Sequence, residues 1–259
     1  MLIDDQWCPA FAAWATAVLR GRASIDDAVD ALTSDADDVV VNGLPDESDS
    51  VNLSWALGNL RRQGITGLCY TWAAPGNTGR LPGPPDFNAR AVSRGGAVVS
   101  VDGEMLGVLA DVITVGSEDD HLIRVQWQVE RVQRFAQPFA VSLPEAERQM
   151  IEALHRGLSA LERLDVAQWR DEVLDVMKAW NDDDALVAPP GLPDRAYRIM
   201  AQTQRLLAVL DLATEDDGGA LSSGEVSARQ AVLAPLVPVI RDASSAAWNS
   251  GLAISTVTQ

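Results

Sequence analysis

Apolar residues recur at helical spacing near both ends of this chain and at alternate positions between them, so the pattern alone predicts two kinds of structure. Trp7, Phe11, Trp14 and Val18 follow one another at three or four residues, which places them on one face of a helix that Gly21 ends. Ser24 then offers an N-cap with Asp27 three residues on, and Ala28 and Leu32 supply the buried side of a second helix. Val39 to Val41 reads as a brief strand. Between residues 50 and 63, Val51, Trp55 and Leu60 return to a helical register, closed by Arg61, Arg62 and Gly64.

From Ile65 the period shortens to two. Leu68, Tyr70 and Trp72 alternate with Gly67, Cys69 and Thr71, and strands are also predicted over 96–101, 105–115 and 122–132. In the last of these Leu122, Arg124, Gln126, Gln128 and Glu130 form a wet side, opposite a mostly dry side of Ile123, Val125, Trp127, Val129 and Arg131. Asp102-Gly103 has the composition of a two-residue type I′ hairpin turn. Helical spacing resumes after Ser142-Leu143-Pro144-Glu145, a capping-box sequence with proline in the first turn. Ile151, Leu154, Leu158 and Leu161 mark one helix; Asp165 caps the next, with Val166, Trp169, Val173 and Trp180 on one face. Ile199, Thr203, Leu206 and Leu210 mark a third, and Val226 to Trp248 a fourth that Pro235 and Pro238 should break or kink. The expected fold class is therefore α+β, with a helix-flanked antiparallel sheet over residues 1–141 and a bundle of about four helices over residues 142–251.

Composition narrows the partners. The 259 residues carry 37 acidic and 20 basic side chains, a net charge of -17, so the mean field repels phosphate backbones and anionic lipid. Neither a nucleic acid nor a membrane is expected as a partner. Only the stretch 65–141 approaches neutrality. Of the basic residues Lys178 alone is lysine, a skew that suits a GC-rich genome. Cys8 and Cys69 lie far apart with no paired spacing, which fits a reducing cytosol. The acidic start, Met1 to Asp5, is unlike a signal peptide, and no run reaches about 18 apolar residues, so a cytoplasmic location is expected.

The chemistry-bearing residues form no complete motif. His121 follows Glu118, Asp119 and Asp120 in a turn, and His155 stands on a helix as a solvated or boundary residue. There is no His-Glu-x-x-His, no cysteine pair, no Gly-x-Ser-x-Gly elbow and no phosphate-binding glycine loop, so no metal and no cofactor is expected. Thr214 to Glu225 has part of a calcium-loop pattern, but Thr214 and Gly218 remove two of its ligand oxygens. Trp14, Trp55, Trp169 and Trp180 fall on apolar helical faces as core, whereas Trp72 and Trp127 fall on strands and can serve as core or line a pocket.

One connection stands out. Residues 73–95, rich in glycine and proline, are long for a loop inside a domain, and such loops are disproportionately functional. Asp86 is placed to cap a short helix through Arg94 that carries Asn88 and Arg90, and Arg80, Arg90 and Arg94 concentrate positive charge there. Trp72, Arg80, Asp86, Asn88, Arg90 and Arg94 are thus candidate contacts for an anionic small molecule or acidic peptide. The structural alternative is a crossover between two strands, stiffened by its prolines.

The succession LRRQGITGL, APGNTGRLPGPPDFNARAV and GGAVV between Leu60 and Val99 resembles a family of uncharacterised actinobacterial proteins. That resemblance spans the middle third of the chain and implies a lineage, with no activity or site residue attached. The expected function is a non-enzymatic cytosolic interaction or adaptor protein with an unknown protein partner. The alternative is an anion-binding protein or enzyme with its site at the 73–95 loop, and a third reading is an acidic decoy. An adaptor predicts an exposed apolar patch, a binder a concave site at the loop, and a decoy a contiguous acidic face.

Overall fold

The computed structural model describes residues 6–78, 80–117, 120–133, 141–163, 187–215 and 230–253. The chain folds into two compact units, one comprising Met1–Ala140, Val187–Pro193 and Trp248–Gln259 and the other Val141–Leu186 and Asp194–Ala247. The chain is α+β, with the sheet in its N-terminal half and helices mainly in the C-terminal half.

In the first unit, helix α1 (Trp7–Leu19) is buried almost all round, from Trp7 to Val18. Such a helix needs cover on both sides. It touches strands β2, β3 and β4 of the sheet (Leu68–Trp72, Gly96–Ser100 and Leu106–Ser117) as well as helices α2 (Ile25–Thr33) and α3 (Leu53–Arg62). Phe11 stacks on Trp127 of strand β5 (Asp120–Arg131), with ring centroids 4.4 Å apart. Gly21, at φ 70°, lets the chain turn out of α1. Ser24 and Asp27 form the expected capping box of α2, and Ala28 and Leu32 are its buried side.

Strand β1 (Asp38–Asn42) completes a five-stranded sheet in the order β1-β5-β4-β3-β2. Strands β2 to β5 form the expected antiparallel meander. The sheet as a whole is mixed, because β1 joins the far edge parallel to β5, with Val40 beside Gln126. Alternation identifies the neighbours in the meander, but β1 is separated from β5 by most of the unit and has no local turn to declare its direction. The β3–β4 connection is also longer than a type I′ turn. It runs from residue 101 to 105, and only Gly103 takes a positive φ, 65°. A Cβ at Gly103 would lie 2.6 Å from the Gly64 carbonyl carbon, so glycine is required there for close approach as well as for φ. Asp102 instead accepts the Thr66 N–H at 2.7 Å.

Two tryptophan and apolar-stripe expectations are corrected. Trp55 is 52% exposed; α3 buries Leu53, Ala56, Leu57, Asn59 and Leu60, a face turned away from it. Val51 lies before that helix and bridges to Val41, and Asn52 is the N-cap. The Trp55 ring is held outside, its Nε1–H donating to Glu47 at 2.7 Å and the Arg62 guanidinium lying over it. Trp14, Trp72 and Trp127 are buried as core, and Trp169 and Trp180 lie outside the described residues.

In the second unit, helix α5 (Leu143–Arg163) buries Ala146, Met150, Ala153 and Gly157, leaving Ile151 exposed. Small residues pack on the buried face. A Cβ at Gly157 would touch Leu236 at 3.1 Å. Helix α6 (Asp194–Glu215) buries Ile199, Thr203 and Leu210 as expected, with Leu207 in place of Leu206. Arg195 donates to Glu147 at 2.5 Å, tying its start to α5. A helical turn over 230–233 stops at Ala234 and Pro235, and helix α7 (Leu236–Trp248) starts anew. Pro238 falls in that first turn, where its missing N–H removes no intrahelical bond. A short helix α8 (Ser250–Ala253) follows, within the first unit. The predicted helix beginning at Asp165 and most of the Thr214–Glu225 loop lie outside the described residues.

Candidate functional site

The 73–95 connection is a built crossover between β2 and β3. Ala74 and Asn77 exchange backbone bonds to close a turn, and the second half forms helix α4 (Pro85–Ser93). Phe87 and Ala91 of α4, with Leu81 from the loop, pack on Ala73, Ala97 and Leu109 to form a small core of their own. Most of the apolar content of the loop is therefore taken up in covering β3 and one end of β4. Asp86 is not the cap. Pro84 occupies that position, and Asp86 lies exposed in the first turn, where its charge suits the helix dipole.

Trp72 ends β2 with its side chain buried. Asn88 accepts the Gly83 N–H at 2.9 Å and so fixes the entry to α4. Arg90 donates through one nitrogen to both Glu130 oxygens, at 2.5 and 2.6 Å, and this contact holds its proton more tightly than usual. Arg94 donates to Asp111 through Nε at 2.6 Å, with Nη2 equally close to the same oxygen. Arg80 is half-buried near Cys69, whose thiolate it would favour. The structure brings Arg90 and Arg94 to one side of α4, but each already has a carboxylate on the sheet. An anion binding there would meet guanidinium groups whose charge Glu130 and Asp111 already offset.

The two thiols are shielded from chemistry as well. Burial pushes Cys8 and Cys69 up to about 12, so both are protonated at neutral pH and neither is a nucleophile there. His155 is exposed on α5, and the side chain of His121 lies outside the described residues. Among the described residues no group of three His, Cys, Asp or Glu side chains is arranged to hold a metal, and no helix is long and apolar enough to cross a membrane.

What sequence reasoning misses lies on the β4–β5 hairpin. Its strands pair over twelve positions, from Leu106 opposite Arg131 to Ser117 opposite Asp120, whereas β3 pairs with β4 at Val98–Val108 and Val99–Gly107. Continued, that register brings the first residue of β3, Gly96, opposite Ala110. Beyond it the hairpin runs on with no neighbouring strand on the β4 side among the described residues. Near its end Ile113, Val115 and Leu122 are 41%, 59% and 58% exposed. Val115 is directly opposite Leu122 and Ile113 is opposite Arg124, so the three apolar chains share one face. A signal exists in the sequence: Leu122 is the one apolar residue on the wet side of its strand.

The backbone polarity of that edge follows from two bonds. Met105 accepts the Val132 N–H at 3.0 Å, so odd-numbered residues of β4 turn their polar groups to β5; Leu106 sends its N–H to Ser100 Oγ on the β3 side at 2.9 Å. Val112, Thr114 and Gly116 therefore present N–H and C=O groups outward, with no partner strand among the described residues. The β2 edge of the sheet is covered by side chains at two of its residues. Thr16 Oγ exchanges bonds with both backbone groups of Leu68, and the Asn249 amide does the same with Tyr70 at 2.8 and 2.7 Å.

Comparison with known families gives two matches that together cover nearly the whole chain: the N-terminal domain of Rv1486c-like proteins over residues 8–141, and the C-terminal domain over residues 144–245. The chain belongs to the Rv1486c-like family. That family is named after an uncharacterised mycobacterial protein, in keeping with the actinobacterial resemblance of the Leu60–Val99 stretch. Its two domain models meet between residues 141 and 144, at the sequence that opens α5. No curated protein and no solved structure matches the chain.

Proposed function

We propose that this member of the Rv1486c-like family is a non-enzymatic, cytosolic protein-interaction module that docks its partner on the free end of the β4–β5 hairpin. The observation that carries this reading is the conjunction of an exposed apolar face, Ile113, Val115 and Leu122, with an adjoining row of outward backbone donors and acceptors. Such an edge pairs readily with another strand, and the apolar side chains supply the burial that makes pairing favourable. The paired arginines, Arg90 and Arg94, and the buried thiols, Cys8 and Cys69, support interaction over anion binding or nucleophilic chemistry at the 73–95 loop.

The test is affinity purification of the tagged full chain from its own cells, beside a Val115→Asp, Leu122→Asp variant and an equally charged control altered at exposed Ser34 and Ser48. A partner held by wild type and the control but lost from the hairpin variant is expected. Retention of every partner by the hairpin variant would remove the hairpin from consideration. An anion that raises the melting temperature of wild type but not of an Arg90→Ala, Arg94→Ala variant would favour the loop instead.

A further inference from the structure

We infer that the strand docking on this edge is the same strand of a second copy of the chain, antiparallel and centred on Thr114, so that two sheets join through β4. The inference rests on the docking reading above and supplies its occupant. Three properties of the strand point to self-pairing.

The first is register. An antiparallel pair about a two-fold axis at an outward-pointing residue lets that residue exchange both backbone bonds with its own copy. With Thr114 at the axis, Val112 and Gly116 of each copy bond to one another, and all three outward residues are used. Ile113 of each strand then falls opposite Val115 of the other, on the exposed apolar face. These are β-branched cross-strand pairs, among the favourable ones in sheets, and they form twice by symmetry.

The second is space. Centred on Thr114, the incoming strand runs opposite residues 111–117 and ends where β3 begins, at the level of Ala110. Moving the axis to residue 113 would drive the incoming strand into β3. Moving it to residue 115 would leave part of the free edge unused. The third is charge. Two copies with a net charge of -17 repel at most approaches, yet residues 112–117 contain no charged side chain, and Asp111 at the border is already paired with Arg94. Within residues 112–117 the edges of two acidic chains meet with no acid opposite acid. A strand of six or seven residues gives a small interface of the transient class.

The experiment uses the full chain and disulfide trapping together with sedimentation. Paired residues at the axis have Cα atoms about 5.5 Å apart, within disulfide range, whereas residue 112 of one copy is far from its own counterpart. Because native Cys8 and Cys69 are buried, a Thr114→Cys variant under mild oxidation should form a disulfide-linked dimer and a Val112→Cys variant should not. In sedimentation equilibrium the wild-type mass should rise towards twice that of one chain as concentration increases. Thr114→Pro, which deletes an outward N–H that β5 does not use, and Val115→Lys should both stay at the mass of one chain. Monomeric wild type at all concentrations together with no Thr114→Cys cross-link overturns the inference. Equal cross-linking of the Thr114→Cys and Val112→Cys variants overturns it as well, since collision would explain both. If a different protein bound to the chain slowed amide exchange at Val112 and Thr114 while self-association was absent, the docking reading would stand with the wrong occupant. If neither self-association nor partner loss on hairpin substitution were found, both would fall.

Discussion

Gly107 has no side chain because Phe87 occupies its space, and this makes the seating of α4 on the sheet measurable. A Cβ at Gly107 would lie 2.5 Å from Phe87 Cζ and 2.6 Å from both Phe87 Cε2 and Val132 Cγ1. The backbone of Gly107 is not in the positive-φ region, so the cost of Gly107→Ala is steric. Overpacking of this kind destabilises by about 1–3 kcal/mol. Truncation of Phe87, which is wholly buried, to alanine should cost about 3–5 kcal/mol through lost burial and the cavity left behind. The two changes act on one volume with opposite sign, so the double variant should be less destabilised than the sum by at least about 1 kcal/mol. Urea unfolding followed by tryptophan fluorescence, with midpoints compared at constant m, gives all four corners of the cycle. Thr114→Cys cross-linking should be unchanged in Gly107→Ala, because α4 covers the sheet only up to the border of the free edge. Additivity within about 0.5 kcal/mol would refute the shared-volume argument.

Two further outcomes follow from the buried polar groups. Asn249→Ala should destabilise by about 1–3 kcal/mol, since it strips two bonds from the Tyr70 backbone, and should speed hydrogen exchange of the Tyr70 amide. Asn249→Asp, which keeps an acceptor for Tyr70 N–H and loses the donor, should speed that exchange less. The thiols predict a pH dependence. Cys8 and Cys69 stay protonated in the folded chain to about pH 12 but ionise from about pH 9 when unfolded, so the unfolded state holds fewer protons between those values. Stability should therefore fall as pH rises through that window, by roughly 1.4 kcal/mol per pH unit for each thiol. Cys8→Ala, Cys69→Ala should flatten the alkaline limb, and Ellman's reagent at pH 8 should label neither thiol until urea unfolds the chain.

Periodicity exposes the strands of the meander and the caps of α2 because those features are set by neighbours in sequence. Ser24 and Asp27 need only each other. The direction of β1 and the closure of the β2 edge depend on partners far away: Leu68 is met by Thr16, from the middle of a buried helix, and Tyr70 by Asn249, near the other end of the chain. Spacing places a helical face within one position, which suffices to find a helix and fails to place a side chain. Trp55 and Ile151 illustrate this, since a rotation of about 100° takes a residue from the core to solvent. At the 73–95 loop the sequence shows three arginines but not their partners. Glu130 and Asp111 sit on the sheet, and only the fold of α4 onto β3 and β4 makes the pairing visible.

The edges of the sheet argue most directly for what the molecule does. Proteins that remain monomeric blunt exposed edges with short strands, prolines, charges or a covering element. Here β1 is five residues long, and β2 is met by two side chains that take up its backbone groups. Among the described residues the free part of β4 has neither protection. A chain with 13 prolines and 57 charged side chains places none of them between residues 112 and 117, and fills that stretch with Val112, Ile113, Thr114 and Val115. β-branched residues of this kind favour an extended, pairing-ready backbone. Solubility would favour a lysine at exposed Ile113 or Val115, or a proline at Thr114, whose N–H β5 does not use. The bare edge is therefore best explained by a strand that covers it.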